Sequence, residues 1–223
     1  MNEDKLQARG KPRAILFDWD NTLIDSWTTI HEAMNAALAA MEHETWTIDQ
    51  TRERVRRSLR EVFPEMFGDR WEEARDVFYG RFRDVHLDML APMAGAEALL
   101  RLLAARGVYL GVVSNKLGEH LRREVTHLGW NELFGGIVGA TDAERDKPAP
   151  QPVTLALSGS DIAPGDDVWF VGDTGIDLEC ARNAGCRGIL IRELGPHPGE
   201  FDGYEPESHF SDCHGMVALV TVL

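Results

Sequence analysis

Four short stretches of the sequence gather residues that can hold charge and move protons. They are Asp18 and Asp20 in FDWDNT, Ser114 and Asn115 in VVSNK, Lys147 in DKPAP, and Asp173 and Asp177 in GDTGID. The first poses the sharpest question. Asp18 and Asp20 stand two positions apart directly after the apolar run AILF, where a chain leaving a core strand usually avoids acids. Solubility does not explain both, because half-buried carboxylates repel one another, and something of opposite sign has to offset them. Each stretch alone has an ordinary reading: an Asx-type turn, a helix start, a surface loop, a tight turn. At successive strand ends of one sheet they read instead as parts of a single site, since ligands of open α/β sheets bind beyond the carboxyl ends of the strands.

The elements that must position these residues are legible as periodicity. RAILFD (13–18) is a short apolar run suited to a strand buried on both faces. VYLGVVS (108–114), GGIVGA (135–140), DVWFVGD (167–173) and RGILIR (187–192) read as further strands. Between them lie helical segments at 95–106, 117–128 and 175–184, closed by Gly107, Gly129 and Gly185, the residue type that most readily ends a helix. Pro150 and Pro152 open a short helix to Leu157, and Asp212 caps a last helix running to Val222. Strands alternating with helices imply a mainly parallel sheet with helices on both faces. Residues 27–90 break that rhythm with helical spacing throughout (WTTIHEAMNAALAAM, WTIDQTRERVRRSLREVF, RWEEARDVFYGRFRDVHLDML), and read as an inserted helical block. The α/β core is therefore expected over 1–26 and 91–223.

Bulk properties narrow the function. A chain of 223 residues, 43% hydrophobic and 27% charged, can bury a sizeable core and reads as globular. Its net charge of −14 argues against nucleic-acid binding, which needs concentrated positive charge. An anionic substrate would have to be held by a local cluster of cations or by a metal. The charged start, MNEDKLQARGKPR, lacks the apolar core of a signal peptide, and no run approaches the ~20 apolar residues of a membrane span. Cys180, Cys186 and Cys213 form no CxxC pair, which suits a reduced, cytoplasmic setting. His209, Cys213 and His214 match no common zinc spacing and read as a strand-to-helix junction.

Taken as a set, DWDNT, SN, the lysine of DKPAP and GDTGID resemble the four motifs of the haloacid dehalogenase-like hydrolase superfamily, in order and spacing, over essentially the whole chain. The resemblance implies a Rossmann-like α/β core with an inserted α-helical cap at 27–90. It also implies a Mg²⁺-dependent phosphatase that acts on a small phosphorylated metabolite through an aspartyl-phosphate. Asp18 would be the nucleophile, and Asp20 would protonate the leaving oxygen and later take a proton from water. Metal ligands would be Asp18, the main-chain carbonyl of Asp20 and Asp173, with Asp177 a second ligand or an outer partner. Ser114 and the Asn115 backbone N–H would hold oxygens of the transferring phosphate, and Lys147 would neutralise charge in the transition state. The physical logic is consistent. A carboxylate nucleophile is repelled by a dianionic ester at roughly 4 kcal/mol per charge pair at 4 Å and an effective dielectric near 20, and a divalent cation reverses that sign. Mg²⁺ prefers such oxygen ligands.

The departures from relatives select among activities. Asp20 argues for phosphoryl rather than halide chemistry. The block 27–90 has no lysine for a Schiff base, and Trp19 stands where cation pumps carry a lysine. Ile30 occupies the hinge position of mutases, with His31 one step out of register. The pattern is most similar to phosphoglycolate phosphatases; a sugar-phosphate phosphotransferase of the beta-phosphoglucomutase type is the alternative, and a non-catalytic phospho-ligand sensor a more distant one. Specificity is expected in the cap. Arg60, in VRRSLREVF, aligns roughly with an arginine that in relatives faces the active site, and Arg57 and Lys116 are weaker candidates. The cap is expected to act as a lid, in a monomer or small homo-oligomer. Asn21, where relatives more often have glycine, is expected to tolerate the unusual backbone angles of a chain turning away.

Overall fold

The computed structural model describes residues 11–55 and 59–222. The chain divides into two compact units, one built from the chain up to Ile24 and from Pro92 onward, the other from Asp25–Ala91.

The first unit is organised by β1 (Ala14–Phe17), all four residues of which are buried. A short strand with no polar face must lie inside a sheet covered on both sides, and β1 does. It pairs in parallel with β2 (Tyr109–Leu117) on one edge and β4 (Val168–Gly172) on the other. With β3 (Gly136–Ala140), β5 (Arg187–Ile191) and β6 (Ser208–Phe210) the order is β3-β2-β1-β4-β5-β6, every pair parallel. A core of Ala14, Leu16, Val113, Val153, Phe170 and Ala181 packs one face. Each buried Leu or Phe of this kind contributes about 1.5–3 kcal/mol.

The connecting helices of this unit are α5 (Ala96–Ala105), α6 (Gly118–His127), α7 (Gln151–Leu157), α8 (Gly175–Asn183) and α9 (Cys213–Val222). Gly107, Gly129 and Gly185 follow three of them at φ 69°, 69° and 72°, the left-handed conformation that lets the last carbonyls find donors. Asp212 caps α9 as expected, accepting from the Gly215 N–H at 2.9 Å. The junction carrying His209, Cys213 and His214 runs from β6 into α9, with His209 Nε2 2.8 Å from the Arg192 carbonyl.

One strand differs from its sequence reading. β2 does not stop at Ser114 but continues through Asn115 and Lys116 to Leu117, and its register with β3 shifts between Val113 and Leu117. The irregularity lets polar residues occupy strand positions, because the ladder no longer claims each backbone group.

In the second unit, α1 (Trp27–Ala40), α3 (Leu59–Phe67) and α4 (Trp71–Val85) share an apolar cluster of Met34, Leu38, Phe63, Phe67, Phe78 and Phe82. The stretch read as one helical run from Trp46 is two helices. α2 (Ile48–Arg54) begins at a capping box, with Thr47 Oγ1 accepting from Gln50 N and Gln50 Oε1 accepting from Thr47 N. It ends where Val55 leaves the helical region at ψ 75°, before α3 starts at Leu59. Arg57 lies outside the described residues, as does the side chain of Arg60, whose backbone belongs to α3.

Candidate active site

Asp18 stands one residue beyond β1, and its N–H still donates to Val171 O of β4 at 2.8 Å, which fixes its backbone to the sheet. The chain then turns sharply. Asn21 adopts φ 60° and its N–H donates to Ile24 O at 2.6 Å, so the expected left-handed residue sits at the turn. Asn tolerates this conformation better than other side-chain-bearing residues.

Lys147 arrives from the loop before α7, behind a cis Lys147-Pro148 bond. Its Nζ lies 2.7 Å from Asp18 Oδ1 and 2.7 Å from Asp177 Oδ1, with its side chain 2% exposed. Burial alone would drive the ammonium toward neutrality, but Asp177 and Asp18 outweigh it and hold the pKa above its usual value. Asn115 secures the loop that delivers this amine. Its Oδ1 accepts from Lys147 N at 3.0 Å and its Nδ2 donates to Lys147 O at 3.2 Å. The side chain of Asn115 thus has a positioning task that the motif reading, which used only its backbone N–H, did not contain. The hydroxyl of Ser114, a buried residue, accepts from Lys116 N at 3.2 Å.

The second acidic pair comes from the β4–α8 turn. Asp177 is fully buried at the start of α8; its Oδ2 accepts from Thr174 N at 3.0 Å and from Thr174 Oγ1 at 2.8 Å, closing a capping box. This approach requires glycine at 172, since a Cβ there would stand 2.3 Å from Asp177 Cγ. Asp173 Oδ1 accepts from Thr22 Oγ1 at 3.4 Å, which ties the β4 turn to the turn after β1.

Asp18, Asp173 and Asp177 each offer a carboxylate oxygen, all within 4.8 Å of one another. One ammonium does not neutralise three acids. Burial pushes the Asp18 carboxyl from 3.8 up to about 6; Lys147 pulls the other way, and the charges of Asp177 and Asp20 add to the rise. Asp173 is raised well above the ordinary range, first by burial and then by Asp177 and Asp18. Such a frustrated all-oxygen cluster fits a hard divalent cation, which would supply the missing charge. The ligand roles are unequal. Both oxygens of Asp177 already accept protein hydrogen bonds, which suits an outer partner that orients Lys147, whereas Asp18 and Asp173 carry fewer.

Asp20 belongs to a second buried network. Lys116 Nζ bridges Asp20 Oδ1 and Glu124 Oε2 at 2.7 Å each, and Trp19 Nε1 donates to the same Glu124 oxygen at 2.6 Å. Lys116 is raised in pKa because Asp20 and Glu124 together overcome the effect of its burial. Its charge is committed to these acids, which removes the ground for reading it as an anion contact. Glu124 was not singled out in the sequence, although a signal was there. It falls three residues after Leu121 and one before Val125, on the stripe of α6 that faces the core.

Known proteins match the chain over most of its length. The family model described as "Haloacid dehalogenase-like hydrolase" matches residues 15–191. The chain is 31% identical to a phosphoglycolate phosphatase of Xylella fastidiosa, over 82% of this chain and 81% of that protein. It is also 31% identical to an N-acetylmuramic acid 6-phosphate phosphatase of Pseudomonas aeruginosa, over 85% of this chain and 86% of that one. A solved HAD-superfamily hydrolase from Ehrlichia chaffeensis superposes with a TM-score of 0.66 at 27% identity, covering 95% of this chain and 97% of its own.

Proposed function

The chain belongs to the haloacid dehalogenase-like hydrolase family and is a phosphatase, and from that premise we propose that it hydrolyses a small phosphorylated metabolite, phosphoglycolate in first place, through an aspartyl-phosphate on Asp18. The observation that carries the mechanism is the placement of Lys147 Nζ, 2.7 Å from Asp18 Oδ1 and 2.7 Å from Asp177 Oδ1, at the strand ends where the acids converge.

Asp18 attacks phosphorus with one carboxylate oxygen, and the ester oxygen leaves with a proton from Asp20. Asp20, now a carboxylate, takes a proton from the water that attacks the acyl phosphate, and Asp18 is released with inorganic phosphate. Lys147 stays protonated throughout and faces the charge that builds on the phosphoryl oxygens, while Asn115 keeps its loop in place. Ser114 and the Asn115 N–H hold phosphoryl oxygens from the irregular stretch of β2. A Mg²⁺ held by Asp18, Asp173 and the Asp20 carbonyl, with Asp177 behind them, would screen the anionic nucleophile from the anionic ester.

Substrate choice is assigned to the second unit, with Arg60 as the cation that meets a carboxylate or second phosphate. Phosphoglycolate is favoured because the Xylella relative carries that activity in its name; the Pseudomonas relative, named for a sugar phosphate, keeps that class as the second reading. A cytoplasmic setting is consistent with three free cysteines and with the absence, among the described residues, of a helix long and apolar enough to cross a membrane. The deciding experiment is a panel of phosphorylated metabolites with Mg²⁺ and phosphate release as readout, beside Asp18→Asn. Turnover by Asp18→Asn, or no labelled residue 18 after rapid quench and borohydride reduction, would sink the mechanism.

A further inference from the structure

Deep in the first unit, a carboxylate that the mechanism above does not use sits at the root of one that it does. We propose that Glu124 and Lys116 are positioning residues that hold the Asp20 carboxyl in the orientation its proton transfers require. The inference rests on the reading of Asp20 as proton donor.

Glu124 is 1% exposed and lies on the core face of α6 between the buried Leu121 and Val125. Its Oε2 accepts from Trp19 Nε1 at 2.6 Å and from Lys116 Nζ at 2.7 Å. Trp19 is itself immobilised, fully buried and in edge contact with Trp130 at 5.9 Å and Phe134 at 6.5 Å. Lys116 then reaches from this fixed oxygen to Asp20 Oδ1 at 2.7 Å. The side chains open outward in order: Glu124 1% exposed, Lys116 6%, Asp20 23%. Asp20 is thereby referenced twice to one buried atom, by its own side chain through Lys116 and by the residue before it through the indole.

Fold stability does not account for this arrangement. A buried ion pair is commonly no better than apolar residues of the same volume, because both charges must be taken out of water. A lysine left to itself keeps its ammonium in solvent. What the network does that an apolar core would not is fix the partly buried Asp20 carboxyl in one orientation. A displacement of about 1 Å in such a group costs on the order of 10²-fold in rate.

The test compares two esters on the full-length protein with Mg²⁺. One is 2-phosphoglycolate, or the best alkyl phosphate of the substrate panel, whose leaving alkoxide needs a proton. The other is 4-nitrophenyl phosphate, whose phenolate departs without one. The quantity read is kcat/KM, which runs only as far as departure of the leaving oxygen. Lys116→Met leaves Glu124 buried without its cation and can compromise folding, so the double variant Lys116→Met with Glu124→Gln, which removes both charges, is the main probe. We expect it to lose about 10²-fold on the alkyl ester and less than about threefold on the aryl ester. Equal losses on both esters, or no loss on either, overturn the inference. Asp20→Asn separates this failure from that of the underlying reading. If it shows the alkyl-selective loss while the double variant does not, only the positioning role falls. If it loses both esters equally, the assignment of Asp20 as acid falls as well.

Discussion

The side-chain amide of Asn115 pairs with the backbone of Lys147 in both directions, accepting its N–H at 3.0 Å and donating to its carbonyl at 3.2 Å. A residue in the stretch of β2 where its register with β3 shifts therefore sets where the amine of a distant loop can reach. Asn115→Ala should lower kcat by about tenfold or more through a misplaced Lys147, while the two lost bonds cost only about 1 kcal/mol each in stability. Steady-state kinetics beside a melting curve checks it; a stability loss with kcat intact would make the clamp purely structural.

The pH dependence of the metal-free protein follows from Asp18. Its carboxyl ionises at about 6 when folded against 3.8 in the unfolded reference, so between these values the folded state holds a proton that the unfolded state has released. Stability from this group is present below that window and declines as pH rises through it. Asp173 acts in the same direction. Asp18→Asn should flatten the decline and raise the Tm at pH 7 in EDTA, even as it abolishes turnover. An Asp18→Asn protein that melts below wild type under those conditions contradicts the account.

Metal addition should reverse the same frustration. Mg²⁺ titrated into the EDTA-treated protein at pH 7 is expected to raise the Tm, by about 2.7 kcal/mol of stability at a hundred times the dissociation constant. Asp173→Asn should remove most of that response. Differential scanning calorimetry reads both, and an unchanged response in Asp173→Asn would remove Asp173 from the ligand set.

Gly172 has no room for a side chain, because its Cβ would lie 2.3 Å from Asp177 Cγ. Gly172→Ala should cost roughly 1–3 kcal/mol as an overpacking change, and kcat should fall because Asp177 carries Lys147. Urea denaturation and kinetics on the same preparation measure the two effects.

Arg60→Ala should lower kcat/KM for phosphoglycolate about tenfold or more and spare an aryl phosphate, because the proposed grip on the phosphoryl group uses residues of the first unit alone. Equal losses on both would make it a residue of fold or closure, and no loss on either would move the search for specificity elsewhere in residues 25–91.

The sequence by itself pointed to a mainly parallel α/β sheet and to candidate acids at its strand ends; the strand order and the extent of β2 came from the fold. β1 could only be a doubly buried strand because all of AILF is apolar, and the glycines at 107, 129 and 185 marked helix ends because few other residues adopt positive φ. Asp18 and Asp173 were legible because each follows an apolar strand with a charge that a core would not otherwise accept, whereas Lys147 and Asp177 stood out only as members of the set. Tertiary structure decided which charge meets which. That Lys147 bridges Asp18 and Asp177, that Asn115 serves Lys147 through its side chain, and that Asp177 is consumed by Thr174 and Lys147 depend on contacts between residues up to 129 positions apart. Glu124 shows why such pairings escape a linear reading. Its place on the buried stripe of α6 is periodicity, but whether a buried carboxylate is tolerated is decided by partners on other elements, here an indole beside the second aspartate and an ammonium from β2. Periodicity fixes which way a side chain faces; only the folded chain fixes what it faces.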